Sequence, residues 1–185
     1  MKLLSASSHY LALLGAWIAT CGSLFFSEAL GWLPCVLCWY QRILMYPLAL
    51  ILAVGLLRRD KRVHLYVLPF SALGVCVSLY HYLLIKTDWL PPPPCVAGIP
   101  CTVDYLNWFG FINIPFLALT AFLLISFLMV VSLLAPAPGT DTDENDRETE
   151  LASGSPPPVA VREPVVVFGI IGAVVTAFVI GAQFV

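Results

Sequence analysis

Gly31-Trp32-Leu33-Pro34-Cys35-Val36-Leu37-Cys38-Trp39-Tyr40-Gln41-Arg42 decides the fold, because it joins two apolar runs that are each long enough to cross a bilayer. Gly31 suits the end of one helix, where a left-handed residue is needed. Pro34 suits the first turn of the next, where a missing N–H costs nothing. The C-x-x-C pair is therefore expected at a helix N-terminus, with Arg42 one turn beyond Cys38 on the same face.

Working outward, five stretches are apolar over the roughly 20 residues that a helix rising 1.5 Å per residue needs to span about 30 Å of hydrocarbon. They lie near residues 8–30, 39–57, 63–85, 112–134 and 165–185. With 60% hydrophobic and 11% charged residues and a mean hydropathy of +0.92, the chain is too apolar for a soluble domain of its size, and lipid is its expected solvent. The fold class is an all-α membrane protein: a four-helix bundle over 1–135, an acidic Pro-rich linker over 136–163, and a fifth C-terminal helix over 164–185. No basic patch speaks for nucleic acid.

A cleaved signal peptide is the competing reading of the first span. Its apolar run continues past an ordinary h-region, and no A-x-A site closes it. Ile18-Ala19-Thr20-Cys21-Gly22 makes a poor lipoprotein cleavage box, so an uncleaved helix is expected.

Arg58, Arg59, Lys61 and Arg62 crowd the short connection between the second and third spans, and such loops stay in the cytoplasm. By parity the N-terminus and residues 136–163 are inside, and residues 31–38 and 86–110 are outside. All four loop cysteines, Cys35, Cys38, Cys95 and Cys101, then face the exterior. Disulfides persist there, so the charge rule and the cysteine positions agree.

Disulfide exchange needs thiolate, and thiolate needs positive surroundings. A helix N-terminus beneath Cys35 and Cys38 and a fixed cation at Arg42 provide them. An unpaired arginine near the centre of a span costs about 2.5–3.5 kcal/mol, less near an interface, so Arg42 asks for a functional reason. Cys95 and Cys101, with five residues between them, form a second candidate dithiol on a loop stiffened by Pro91-Pro92-Pro93-Pro94, which favours extended polyproline II. Two pairs on one face suggest a relay. No Gly-rich nucleotide fingerprint or C-x-x-C-H haem site supplies an electron sink, which leaves a membrane quinone, ubiquinone or menaquinone. Zinc held by four thiolates and a pair of structural disulfides are the competing readings. The C-x5-C spacing and Arg42 count against zinc, and structural disulfides leave Arg42 unexplained; no metal is expected.

Cys21 and Cys76 sit in mid-span and are read as small apolar residues. His81 is an ionisable group within a span; it either donates to a quinone carbonyl or packs between helices bonded to a neighbour. Glu28 either reaches the interface or pairs with Arg42. Asp104 is expected to be a solvated loop charge. From Ala135 to Glu163, seven acidic residues stand against Arg147 and Arg162, a composition that cannot bury enough surface to order itself. Beyond it, Gly169, Ala173, Ala177 and Gly181 make a small-residue stripe of the sort that lets membrane helices approach. It could serve packing on the core, self-association with a second copy, or no partner.

The segments Ser23-Leu24-Phe25-Phe26-Ser27-Glu28, Pro34 to Pro47, Tyr80-His81-Tyr82, Ile99-Pro100-Cys101-Thr102, Asn107-Trp108-Phe109-Gly110 and Ile114-Pro115-Phe116-Leu117 together resemble the DsbB family of membrane disulfide oxidoreductases, and its BdbC-like branch more closely. The resemblance covers about residues 10 to 134. It implies a four-helix bundle in a bacterial cell membrane that re-oxidises a thioredoxin-fold dithiol protein of the DsbA or BdbD kind and hands the electrons to quinone, the arrangement that keeps a bacterial periplasm oxidising. By the same resemblance Cys95 meets the partner, Cys101 resolves onto the first pair, Cys35 exchanges with the loop, and Cys38 beside Arg42 contacts quinone, with His81 on the quinone side. A vitamin-K-epoxide-reductase-like enzyme is the alternative, although there the active pair lies late in the bundle. Residues 136–185 depart from the family pattern, leaving tethering, dimerisation or regulation open for the fifth helix.

Overall fold

In a computed structural model of the chain, residues 2–60, 62–87, 100–134 and 162–184 are described. They form five helices: α1 (Lys2–Glu28), α2 (Val36–Leu57), α3 (Val63–Lys86), α4 (Ile114–Leu134) and α5 (Arg162–Ala182). Each contains a stretch long and apolar enough to cross a membrane. The chain is a multi-pass membrane protein. Cys95, the run Pro91–Pro94, Lys61 and residues 136–161 of the expected linker lie outside the described residues.

Both turns at the ends of α2 are set locally. Gly31 is left-handed, at φ +66°, and the chain reverses as the Trp32 N–H donates to Phe26 O at 3.0 Å. Cys35 is the N-cap of α2, in extended conformation, and its sulfur accepts the Cys38 N–H. The helix thus begins at Val36, three residues before the apolar run that marked it in the sequence, and Pro34 precedes the Cys35 cap rather than occupying the first turn expected for it. At the other end Arg59 takes the left-handed position (φ +52°) while Asp60 N donates to Gly55 O at 2.9 Å. The Asp60 carboxylate accepts the Arg62 N–H at 2.8 Å.

α1 to α4 form a ring in which each helix packs on its sequence neighbours and α4 closes on α1. Small residues bring α3 close to its partners: a Cβ at Gly74 would collide with the Phe122 ring of α4, and one at Gly55 with Val63. Ser126 Oγ donates to Ser71 Oγ at 2.9 Å across the α3–α4 seam, satisfying two hydroxyls away from water. The core is built from Leu13, Leu48, Leu52, Val67, Phe122, Ile125 and Met129, all buried.

α5 docks on α1 and α2. The contact does not use the expected stripe. Gly169, Ala173 and Ala177 are exposed, and of the four only Gly181 approaches α1, with its Cβ position 4.0 Å from Phe25. The buried face is Val167, with Val174 and flanking Ile170 and Ile171. Large β-branched side chains fill the groove between α1 and α2, so close backbone approach is not needed there.

Candidate functional site

Alternation of the four core helices brings the ends of α1 and α3 and the starts of α2 and α4 together, opposite the basic turn. At this end Cys35, Leu37, Leu84 and Cys101 form one buried cluster, with Val36 and Cys38 packed against it. Cys101 is 1% exposed and Cys35 6%. Two sequence segments more than sixty residues apart therefore place cysteines in one apolar pocket of the fold.

Within the C-x-x-C pair the Cys35 S–H donates to Cys38 Sγ at 3.1 Å, and the Cys38 backbone N–H donates to Cys35 Sγ at 3.4 Å. The expectation that the helix N-terminus favours thiolate at both sulfurs fails at Cys35. Its thiol is pushed up from the ordinary 9.0 to about 12, chiefly because its proton is held in the bond to Cys38 and then because burial penalises charge. His81 and the Cys38 N–H pull the other way and lose. At pH 8 Cys35 should carry about 1,000-fold less thiolate than an ordinary thiol. Its greater intrinsic nucleophilicity recovers only part, leaving alkylation about 30- to 60-fold slower before burial is counted. Timed iodoacetamide labelling of the reduced protein with peptide mass mapping checks this, and Cys35 labelling at the rate of a small free thiol would refute it. Since a raised thiol value means that the proton is kept, reactivity should appear only as pH climbs towards 12.

His81, 2% exposed, joins the two cysteine segments. Gln41 Nε2 donates to Nδ1 at 3.2 Å, which puts the ring proton on Nε2. That N–H donates to Cys101 O at 3.1 Å and lies 3.7 Å from Cys35 Sγ. Both ring nitrogens are thus engaged by the protein. Gln41, buried at 6%, was not singled out by sequence reasoning. Its signal was a polar amide inside a span, three residues past Cys38 on the sulfur face.

Arg42 lies one turn below Cys38. Its Nη2 donates to Ser23 O of α1 at 2.9 Å, and its guanidinium sits 5.5 Å from the Trp39 ring centre. Glu28 is exposed at the end of α1 and, among the described residues, forms no ion pair with Arg42. Asp104 is not a solvated charge: it pairs with Lys86 Nζ at 3.5 Å, and the same ammonium donates to Gly110 O at 2.9 Å. Lys86 thereby fastens both halves of the segment that carries Cys101. Cys21 and Cys76 lie within α1 and α3, outside this cluster.

Next to the sulfurs opens a cavity of about 490 Å³. Apolar faces of α1 and α4 wall it, and Cys35, Cys38, Gln41, Arg42, Tyr46 and His81 supply its polar rim. Tyr46 Oη and Ser23 Oγ hydrogen-bond at 3.4 Å across that rim. Cys35, Cys38 and His81 also bring one potential metal-ligating atom each within 4.8 Å of one another.

Residues 5–135 match the family model described as disulfide bond formation protein DsbB. The chain belongs to the DsbB family. It is 55% identical over 115 residues to disulfide bond formation protein C of Bacillus subtilis, covering 62% of this chain and 83% of that one. Over 118 residues it is 53% identical to a probable disulfide formation protein C of Halalkalibacterium halodurans (61% and 86% covered). A probable disulfide formation protein of Oceanobacillus iheyensis is 45% identical over 138 residues (72% and 95% covered). No solved structure matches the chain significantly. A DsbB-family chain with five membrane-length helices is a membrane oxidoreductase of disulfide bond formation. The family match ends at residue 135, so α5 lies beyond it.

Proposed function

We propose that this chain re-oxidises a thioredoxin-fold dithiol protein outside the cytoplasm and passes two electrons through two cysteine pairs to a membrane quinone. The observation that carries the reading is the packing of Cys35, Cys38 and Cys101 in one cluster at the rim of an apolar cavity.

The exchange balances as follows. A partner thiolate attacks Cys95 of a Cys95–Cys101 disulfide and releases Cys101 as thiolate. Cys101 attacks Cys35 of a Cys35–Cys38 disulfide and releases Cys38. The partner's second thiol displaces Cys95, completing the partner disulfide, and Cys95 then attacks Cys101 and releases Cys35. Two electrons and two protons have moved from the partner to Cys35 and Cys38. His81 Nε2–H faces Cys35 and the Cys101 carbonyl, holding the two attacking segments in register and meeting charge on sulfur. A quinone bound in the cavity would supply the sink, the Cys35–Cys38 disulfide re-forming as two electrons and two protons leave the pair. The cavity suits such a ligand: its walls are apolar, and Arg42 retains guanidinium donors beyond the one given to Ser23. A donor bond from His81 to that ligand would require Nε2–H to leave the Cys101 carbonyl.

The basic turn at the opposite end supports an orientation with the cysteine end outside. The core 1–135 is then the redox unit and α5 an addition to it. The exposed Gly169, Ala173 and Ala177 face leaves a second copy of the chain as the partner the small-residue stripe would take.

Purified protein given a reduced thioredoxin-fold dithiol should reduce ubiquinone or menaquinone analogues one for one with disulfide formed. Absence of quinone reduction with both analogues would end this reading. A second reading rests on the compact Cys35, Cys38 and His81 set, which could hold a thiophilic metal in a non-catalytic membrane protein. Stoichiometric zinc in the purified chain without bound quinone would favour it.

A further inference from the structure

The fifth helix does more than anchor. Its inner face carries Val167 into the main core, with Ile170 and Ile171 packed on that core. One further turn pair along, Phe178 reaches the cavity beside the cysteines as the residue of α5 that lines it. The ring lies over Gly22 of α1, whose Cβ position is 3.8 Å from Phe178 Cζ. It also stands edge to face with Phe25, centroids 6.0 Å apart at 65°. Gly22 and Ser23 of α1 and Arg42 and Tyr46 of α2 line the same cavity. α5 rests on these two helices, so Phe178 covers the seam where Arg42 bonds Ser23 and Tyr46 faces it.

We infer that α5 is part of the electron-acceptor site: Phe178 closes the cavity at the α1–α2 seam and positions a planar apolar acceptor beside Cys38 and Arg42. The inference rests on the quinone reading above and adds to it a wall from outside the matched family segment. Without that ring the cavity would lose an aromatic face and open towards lipid between α1 and α2. Phe178 is not part of the buried cluster that holds the cysteines, so it should govern how the acceptor is held and leave thiol exchange alone.

The test uses the full chain in detergent, oxidised, with Phe178→Ala, Phe178→Leu and, on the lipid face of α5, Val179→Ala (55% exposed). Equilibrium dialysis with a short-tailed benzoquinone and a short-tailed naphthoquinone gives affinity, and steady-state assays give KM and kcat separately. Phe178→Ala should weaken binding and raise the quinone KM by about three- to tenfold, the loss expected for one aromatic contact. Its kcat and its exchange rate with the partner dithiol should stay unchanged. Phe178→Leu, which keeps α5 apolar and docked, should fall in between, and Val179→Ala should match the parent. A parent chain that binds a quinone while both Phe178 variants bind it equally well would overturn the role of α5 alone. A parent that binds neither quinone would overturn this inference together with the function on which it rests.

Discussion

Cys38→Ser is expected to lower quinone-coupled turnover by about three orders of magnitude or more, as loss of a reacting group that works as one unit with its neighbour commonly does. A serine hydroxyl cannot form a bond to Cys35, so the Cys35–Cys38 disulfide cannot re-form. Cys101 then has no disulfide to attack at Cys35, so once the partner has reduced the loop pair, Cys95 and Cys101 should accumulate as free thiols, visible by differential thiol labelling and peptide mapping. The fold should be little affected. Cys38 is half-buried, and a serine oxygen in its place can still accept from the Cys35 S–H. Cys76→Ser, which changes a lipid-facing residue of α3, serves as the control and should retain the parental rate. Full turnover in Cys38→Ser would remove the proposed electron path.

His81→Leu should slow the transfer between the cysteine pairs by about 10- to 100-fold, the scale of losing register between reacting groups by roughly an ångström. The Gln41 amide and the Cys101 carbonyl both lose their buried partner, and each unsatisfied group costs about 1–3 kcal/mol. Lower thermal stability should therefore accompany the slower transfer. His81→Asn, which can keep one of the two bonds, should recover part of both. The decisive measurement is acid-quenched exchange between the loop pair and Cys35 set beside the quinone KM. Slower exchange at an unchanged KM places His81 with the sulfurs. A raised KM at an unchanged exchange rate would assign it to the acceptor and refute the role argued from its hydrogen bonds.

Much of this molecule was legible before any coordinates. Five apolar runs become five helices because each must satisfy its backbone internally once surrounded by hydrocarbon, a constraint that acts along the chain. The reversal at Gly31 and the start of α2 near Pro34 were readable for the same local reason. Arg42 and His81 stood out because charge or polarity inside a span has few bland explanations. Less legible was anything decided by which faces meet. Gln41 looked like one more residue of a motif until His81, forty residues on, became its partner. Asp104 looked solvated until Lys86 was seen to fasten the Cys101 segment.

The sequence by itself determined the number of spans, the family, and the gathering of both cysteine loops at one end, because these depend on local hydropathy, motif and parity. Tertiary structure alone pushed the Cys35 thiol up, chiefly through its bond to Cys38 and then through burial, neither of which spacing reveals. It alone also turned the fifth helix so that Val167, Val174 and Phe178 face the bundle while Gly169, Ala173 and Ala177 of the small-residue stripe face away. Helix facing depends on the shape of the groove between α1 and α2, a property of two other segments, and so it cannot be read from the residues of α5.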